Sequence, residues 1–120
     1  MSQFTIRSLK SGYKFDLHAA NGEIIATSEM YRTQNACLRG IQSVINNAGS
    51  HTEDQTLSPV QPLRCPKFEV YTDKRGQFRF RLKAANGKII AVSEGYTTKS
   101  ACLGGIDSVR LNTVQSQIHP

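Results

Sequence analysis

Residues 19–44 read AANGEIIATSEMYRTQNACLRGIQSV, and residues 84–109 read AANGKIIAVSEGYTTKSACLGGIDSV. A chain that states one pattern twice is constrained to fold as two copies of one unit. Sliding the sequence against itself by 65 positions lays Tyr13–Ala48 on Phe78–Thr113, with most positions matched or close in kind. Upstream the offset falls to 64, so that Phe4 meets Phe68 and Gly12 meets Gly76, because the second copy carries one extra residue, Gln77. An insertion of that kind belongs in a surface turn. The polar stretch NNAGSHTEDQTLSPVQPLRCP between the copies reads as a connector. We place the first repeat over residues 1–57, a linker over 58–66 and the second repeat over 67–120, all within one domain.

Within each unit, FTIRSLKSGYKFDLHA and FEVYTDKRGQFRFRLKA are paired runs of alternating apolar and polar residues about a glycine-containing turn, the signal of a hairpin. Phe78, Phe80 and Leu82 then point one way and Arg79, Arg81 and Lys83 the other. Asn21-Gly22 and Asn86-Gly87 suit a type I′ turn leading to a third antiparallel strand, GEIIATS or GKIIAVS. Thr33 and Thr98 are suitable helix N-caps. Behind them, Cys37, Leu38, Ile41 and Val44 form an apolar stripe that Cys102, Leu103, Ile106 and Val109 repeat. Gly40 and Gly105 fall inside these helices and mark close backbone approach to the sheet. TEDQTL and TVQSQI are candidate short fourth strands.

A three-stranded sheet with one helix, in roughly 55 residues, buries too little apolar surface to stand comfortably alone. Two units sharing one antiparallel sheet, covered by both helices about a pseudo-two-fold axis, would share one core. The expected class is therefore α+β. The pattern F-x-F-x-L-x-A-x-N-G-x-I-I-x-x-S-E-x-Y-x-[ST]-K-x-x…G-I-x-S-V, met by Phe78–Val109, resembles the YegP-like family of small bacterial proteins. The resemblance covers both repeats and implies tandem β-β-β-α-β units that join in one sheet and exchange their last strands. It implies no activity, substrate or cofactor. The first repeat departs from the pattern, with Gln34 where Lys99 stands and Met30 where Gly95 stands, so any site built on that lysine would exist once.

The formal charge of +6 is unevenly spread. Through Ser58 five Lys and Arg balance five acids; from Pro59 onward ten face four. The whole excess belongs to the second half, where Arg79, Arg81 and Lys83, with Lys74, Arg75 and Lys88 near the turns, form a candidate surface for nucleic-acid phosphates. Single-strand binding also asks for aromatics on the charged face, and Phe78 and Phe80 are expected on the other. A solvated, solubilising face is the simpler reading.

Ser28-Glu29-x-Tyr31 and Ser93-Glu94-x-Tyr96 are the other suggestive groups. A serine nucleophile needs a base within reach, and no His occupies equivalent places, His18 corresponding to Lys83. The plainer expectation is that Tyr packs on the sheet edge while Ser and Glu bond the turn backbone. The helix start at Thr98 with Lys99 would suit a small anion, although every helix start offers the same N–H groups. Gly87-Lys88 is followed by Ile89, which excludes a P-loop. His18, His51 and His119 lack metal-site spacing, and Cys37, Cys65 and Cys102 are odd in number without C-x-x-C, so neither metal nor disulfide is expected. Cys37 and Cys102 read as buried core whose repeat equivalence would place them near each other, and Cys65 as the more reactive thiol.

No catalytic residue and no cofactor is assigned. The leading expectation is a monomeric, cytoplasmic, non-enzymatic binding module for a protein partner, using the open sheet face or the Tyr31 and Tyr96 loops, without membrane association. The alternatives are nucleic-acid binding through Arg79, Arg81 and Lys83, and a small-anion binder or weak hydrolase built on Ser93, Glu94, Tyr96 and Lys99.

Overall fold

The computed structural model describes residues 3–115 and 117–119, with side chains as far as Thr113. In chain order the elements are β1 (Gln3–Leu9), β2 (Gly12–His18), β3 (Ile24–Thr27), α1 (Gln34–Asn47), β4 (Thr52–Asp54), β5 (Lys67–Thr72), β6 (Phe78–Lys83), β7 (Ile89–Val92), α2 (Lys99–Gln115) and β8 (Gln117–His119). The strands form one sheet in the order β4-β5-β6-β7-β3-β2-β1-β8. Its centre is the antiparallel meeting of β3 and β7, with Thr27 opposite Val92.

The sheet is mixed, not antiparallel throughout. β4 pairs with β5 in parallel and β8 pairs with β1 in parallel. The segment 55–66 that joins β4 to β5 is long enough to carry the chain back for a parallel pairing, while β1 and β8 are the first and last strands. TEDQTL supplies β4 as expected, whereas most of TVQSQI does not form a strand: α2 runs through Gln115, and β8 starts at Gln117.

The Asn-Gly turns also differ from type I′. Among the described residues only glycines have positive φ, and within these two turns it is Gly22 (φ 88°) and Gly87 (φ 83°) that adopt it. Gly22 N–H donates to Ala19 O at 2.9 Å and Ala19 N–H to Glu23 O at 2.8 Å, with matching bonds at Ala84, Gly87 and Lys88. Asn21 and Asn86 contribute through their side chains, each Oδ1 accepting the N–H two residues on.

The helices lie on one face, α1 over β2 and β7, α2 over β6 and β3. Each therefore spans strands from both halves of the chain, and one buried cluster results. Phe4, Phe15, Leu17, Phe68, Phe80 and Leu82 from the sheet meet Cys37, Ile41, Val44, Cys102, Ile106 and Val109 from the helices. Each of the phenylalanine, leucine, isoleucine and valine side chains contributes about 1.5–3 kcal/mol of apolar burial. Phe4 meets Phe15 edge-on at 5.8 Å, as Phe68 meets Phe80 at 6.0 Å. Leu103 is a correction: it is 39% exposed and lies off the stripe, while Leu38 is half-buried. Both helices are capped as expected, Thr33 Oγ1 accepting from Ala36 N–H at 3.0 Å and Thr98 Oγ1 from Ala101 N–H at 3.1 Å.

Candidate functional site

Ser93 is buried, and its hydroxyl both accepts from and donates to the backbone. It accepts from Phe80 N–H at 2.9 Å and donates to Glu94 O at 2.8 Å. Ser28 does the same between Phe15 and Glu29. Each serine thus replaces a missing ladder bond where its strand leaves the sheet. The chain then passes to a single bridge, Tyr31 with Tyr13 and Tyr96 with Phe78. Glu94 is exposed, and the hydrogen bonds expected of its side chain at this turn are made by Ser93 and the backbone instead.

The two tyrosines explain the helical glycines. A Cβ on Gly40 would lie 2.6 Å from Tyr31 Cζ, and one on Gly105 would lie 2.9 Å from both Tyr96 Cζ and Phe80 Cε2. The helix backbone therefore closely approaches the phenol ring of the strap together with the edge of a sheet phenylalanine. Tyr31 stacks on Phe15 and Tyr96 on Phe80, both with ring planes 18° apart. Burial raises both phenol pKa values above the ordinary range, so the rings stay neutral.

Met30 and Gln77 solve one packing problem in two ways. A Cβ on Gly95 would lie 2.9 Å from Gln77 Cδ, so the extra residue of the second hairpin turn covers that glycine. In the first half the glycine is on the turn, at Gly12, and the covering side chain is Met30.

Lys99 Nζ is bonded to Asp54 Oδ2 at 2.9 Å, tying the start of α2 to β4. Burial pushes the Asp54 carboxyl up, but hydrogen bonds from Thr56 and Lys99 outweigh it and hold the group below its usual range. Ser93, Tyr96 and Lys99 therefore each serve a separate structural contact. Burial likewise pushes the Cys37 thiol up, and the Cys102 thiol to about 11 with Asp54 adding to it, so neither is a thiolate near neutrality.

The open face of the second half is where charge concentrates, and the lysines and arginines within its strands β5 and β6 have partners. Arg81 Nε meets Glu69 Oε1 at 2.6 Å, Lys83 Nζ meets the same oxygen at 3.2 Å, and Lys67 Nζ meets Oε2 at 3.1 Å. Lys67 also reaches Glu53 Oε1 at 2.7 Å. That oxygen accepts Leu63 N–H as well, and Gln55 donates to Oε2, so the segment between β4 and β5 is fastened to this cluster. Arg79 Nε meets Asp73 Oδ2 at 2.7 Å, and its Nη1 donates to Ser93 O. Hydrogen bonds from Lys67 and Gln55 hold the Glu53 carboxyl at about 2. Burial pushes Glu69 up, but Arg81, Lys67 and Lys83 outweigh it.

Arg79, Arg81 and Lys83 do share a face, opposite Phe78, Phe80 and Leu82, but as members of an ion-pair network. Tyr71 stands on that face too, as the partner of Arg79 in the β5–β6 ladder, with the Arg81 guanidinium 4.4 Å above its ring. The sequence reading, which expected the aromatics on the other face, overlooked it. Glu69 and Tyr71 were legible, since Phe68 and Val70 face the core and the alternation places both opposite the arginines.

Concavities open on the surface beside both of these regions. One, about 530 Å³, lies between the Glu29–Tyr31 strap and Gly87–Ile90. Another, also about 530 Å³, is lined by Tyr71, Asp73, Lys74, Arg75 and Arg79 at the β5–β6 turn.

The family described as a domain of unknown function, DUF1508, matches residues 10–54 and 73–119. A UPF0339 protein of Pseudomonas aeruginosa is 35% identical over 96% of this chain and 93% of its own length. The chain belongs to the DUF1508 family. The solution structure of the Escherichia coli protein YegP, titled as of unknown function, superposes with a TM-score of 0.78 at 31% identity, covering 98% of this chain and 90% of that one. The family also has members of about half this length: a UPF0339 protein of Treponema denticola is 56% identical over 52 residues, which are 43% of this chain but 90% of that protein. These likenesses, with the DUF1508 match in two segments, establish an α+β fold with one mixed sheet and two helices. No helix among the described residues is long and apolar enough to cross a membrane.

Proposed function

We propose that this DUF1508 protein is a non-enzymatic interaction module made by duplication of one β-β-β-α-β unit, with each unit's last strand seated beside the other unit's first strand about a pseudo-two-fold axis. The β4–β5 and β8–β1 pairings and the half-length relatives support the duplication. The non-enzymatic reading rests on the polar groups that would do chemistry, Ser93, Tyr96 and Lys99, being spent on the fold. We place the module in the cytoplasm, where its three unpaired thiols would stay reduced.

Its docking surface is the groove beside Tyr31, and the observation that carries this is Met30. That side chain is 43% exposed in a concavity with Tyr31, Ile89 and Ile90, while Glu29 and Lys88 stand exposed at its rim. Methionine adapts to varied apolar partners. The occupant is an extended segment of a protein partner that inserts a large apolar side chain between the two rim charges and pairs an acid with Lys88. A photo-crosslinking residue at Lys88 should yield a discrete protein adduct, and the purified partner should bind Met30→Glu at least tenfold more weakly while the variant still unfolds in one cooperative transition. Equal binding to the wild type and Met30→Glu would remove the groove as the docking surface.

A further inference from the structure

We propose a second, independent binding site at the β5–β6 turn, where Tyr71, Lys74, Arg75 and Arg79 take single-stranded nucleic acid, phosphate on the cations and a base against the tyrosine. The site moves the positive surface from the Arg79-Arg81-Lys83 row to the turn. The row is largely neutralised, with Lys67, Arg81 and Lys83 gathered around Glu69 and Glu53. The turn is not. Its concavity of about 530 Å³ holds three cations and one carboxylate, Asp73.

That carboxylate is fully engaged within the protein. Asp73 Oδ1 accepts the N–H groups of Arg75 and Gln77, at 2.9 and 3.0 Å, and Oδ2 holds Arg79 Nε at 2.7 Å. The hydrogen bond from Arg79 lowers its pKa, so it stays charged and keeps shaping the turn at neutral pH. Arg79 Nη1 donates to Ser93 O, which fixes the guanidinium plane and leaves Nη2 for a ligand. Lys74 and Arg75 stand exposed at the tip, and their side chains enter no ion pair among the described residues. A preorganised arginine beside exposed, unpaired lysine and arginine side chains suits a phosphate.

Tyr71 decides which phosphate. It is half-buried and forms part of the concavity, directly across the ladder from Arg79. The Arg81 guanidinium braces its ring, and Glu69 holds that guanidinium in turn. A fixed aromatic ring next to cations is the pairing that single strands use, because every base offers a face to stack and every nucleotide a phosphate. An acidic peptide would engage the cations but has no use for the ring. Duplex phosphates would meet a single hairpin turn too narrow to follow two backbones, and its bases are already stacked.

Three cations engaging phosphates predict a slope of about −2 for log affinity against log salt on a single strand, a loss of roughly twentyfold between 50 and 200 mM salt. The test is fluorescence anisotropy with a labelled eight-nucleotide oligothymidine, its duplex counterpart, poly-glutamate and inorganic phosphate as competitors. The single strand should bind with that slope, and Lys74→Gln and Arg75→Gln should each reduce the slope by about 0.7. Tyr71→Leu should weaken binding roughly 5- to 150-fold while leaving the slope unchanged, a split that a merely structural tyrosine would not produce. No binding at 50 mM salt, or binding indifferent to Lys74→Gln and Arg75→Gln, would overturn the site. Duplex bound as well as the single strand, full displacement by millimolar phosphate, or equal competition by poly-glutamate would overturn the ligand class. The Met30 groove stands apart from this site, so either can fail alone.

Discussion

Glycine inside a helix ordinarily gives up about 1 kcal/mol to alanine, and Gly105 reverses the sign because of what lies against it. Its missing Cβ makes room for the Tyr96 ring and the edge of Phe80. Gly105→Ala should therefore destabilise the protein by about 1–3 kcal/mol in a denaturant titration, as overpacked cores do. Adding Tyr96→Phe should recover part of that loss, because the hydroxyl is the atom nearest the intruding methyl. A gain in stability from Gly105→Ala alone would mean that the ring does not pack as described. Ser93→Ala should cost about 1–3 kcal/mol, since it leaves the Phe80 N–H buried without a partner. At this scale the sequence was half legible. It flagged both glycines and both serines, because each recurs in both copies, and it pointed Gly105 at the sheet, where Phe80 lies, but not at the Tyr96 ring. The ring that fills the gap arrives from a strap nine residues earlier in the chain, and periodicity within a helix carries no trace of such a contact.

Strands and helices were readable because alternation and the apolar stripe are local, whereas the partners of the outer strands are not. Nothing within TED says that it will lie parallel to β5, and that pairing is what brings Glu53 beside Lys67 and Glu69. The basic face has the same limit: its charge is legible on β6, but the acids that pair with it stand outside that strand, Glu69 on β5 and Asp73 at the turn. Glu53 now gives this region a pH dependence. Its folded pKa, about 2, lies below its ordinary value of 4.5, so the unfolded chain takes up the proton first. The stabilisation is complete above about 4.5 and is lost as pH falls towards 2. Denaturant midpoints should thus drop steadily from pH 5 to pH 2.5, and Glu53→Gln should flatten that slope while lowering stability at pH 7 by about 3 kcal/mol, as expected when a buried ion pair loses one member. Amide exchange in residues 55–64 should accelerate in the same variant, because Glu53 holds both Gln55 and Leu63. An unchanged slope in Glu53→Gln would assign the acid sensitivity to other carboxylates.

The sheet joins its halves in three places, at β3 with β7, β4 with β5 and β8 with β1, and each helix covers a strand from both halves. Neither half therefore owns its core. A chain of residues 63–120 would expose the β7 edge, lack β4 against β5, and leave the α2 side chains that pack on β3 in water. At roughly 55 residues it also has little apolar burial to spare. Two such chains can restore every one of these contacts by standing in for each other's missing half, as the half-length relatives of the DUF1508 family would have to do. The fragment should accordingly be unfolded or dimeric, with a thermal midpoint that rises with concentration and a dimer mass by sedimentation. Mixing it with residues 1–62 should produce a heterodimer at the expense of either homodimer, since that pair alone recreates the Thr27–Val92 junction and the β4–β5 register of the intact chain. A sharp, concentration-independent melt of monomeric 63–120 would show that one unit can close its own core, and would reduce the shared sheet to a consequence of linkage.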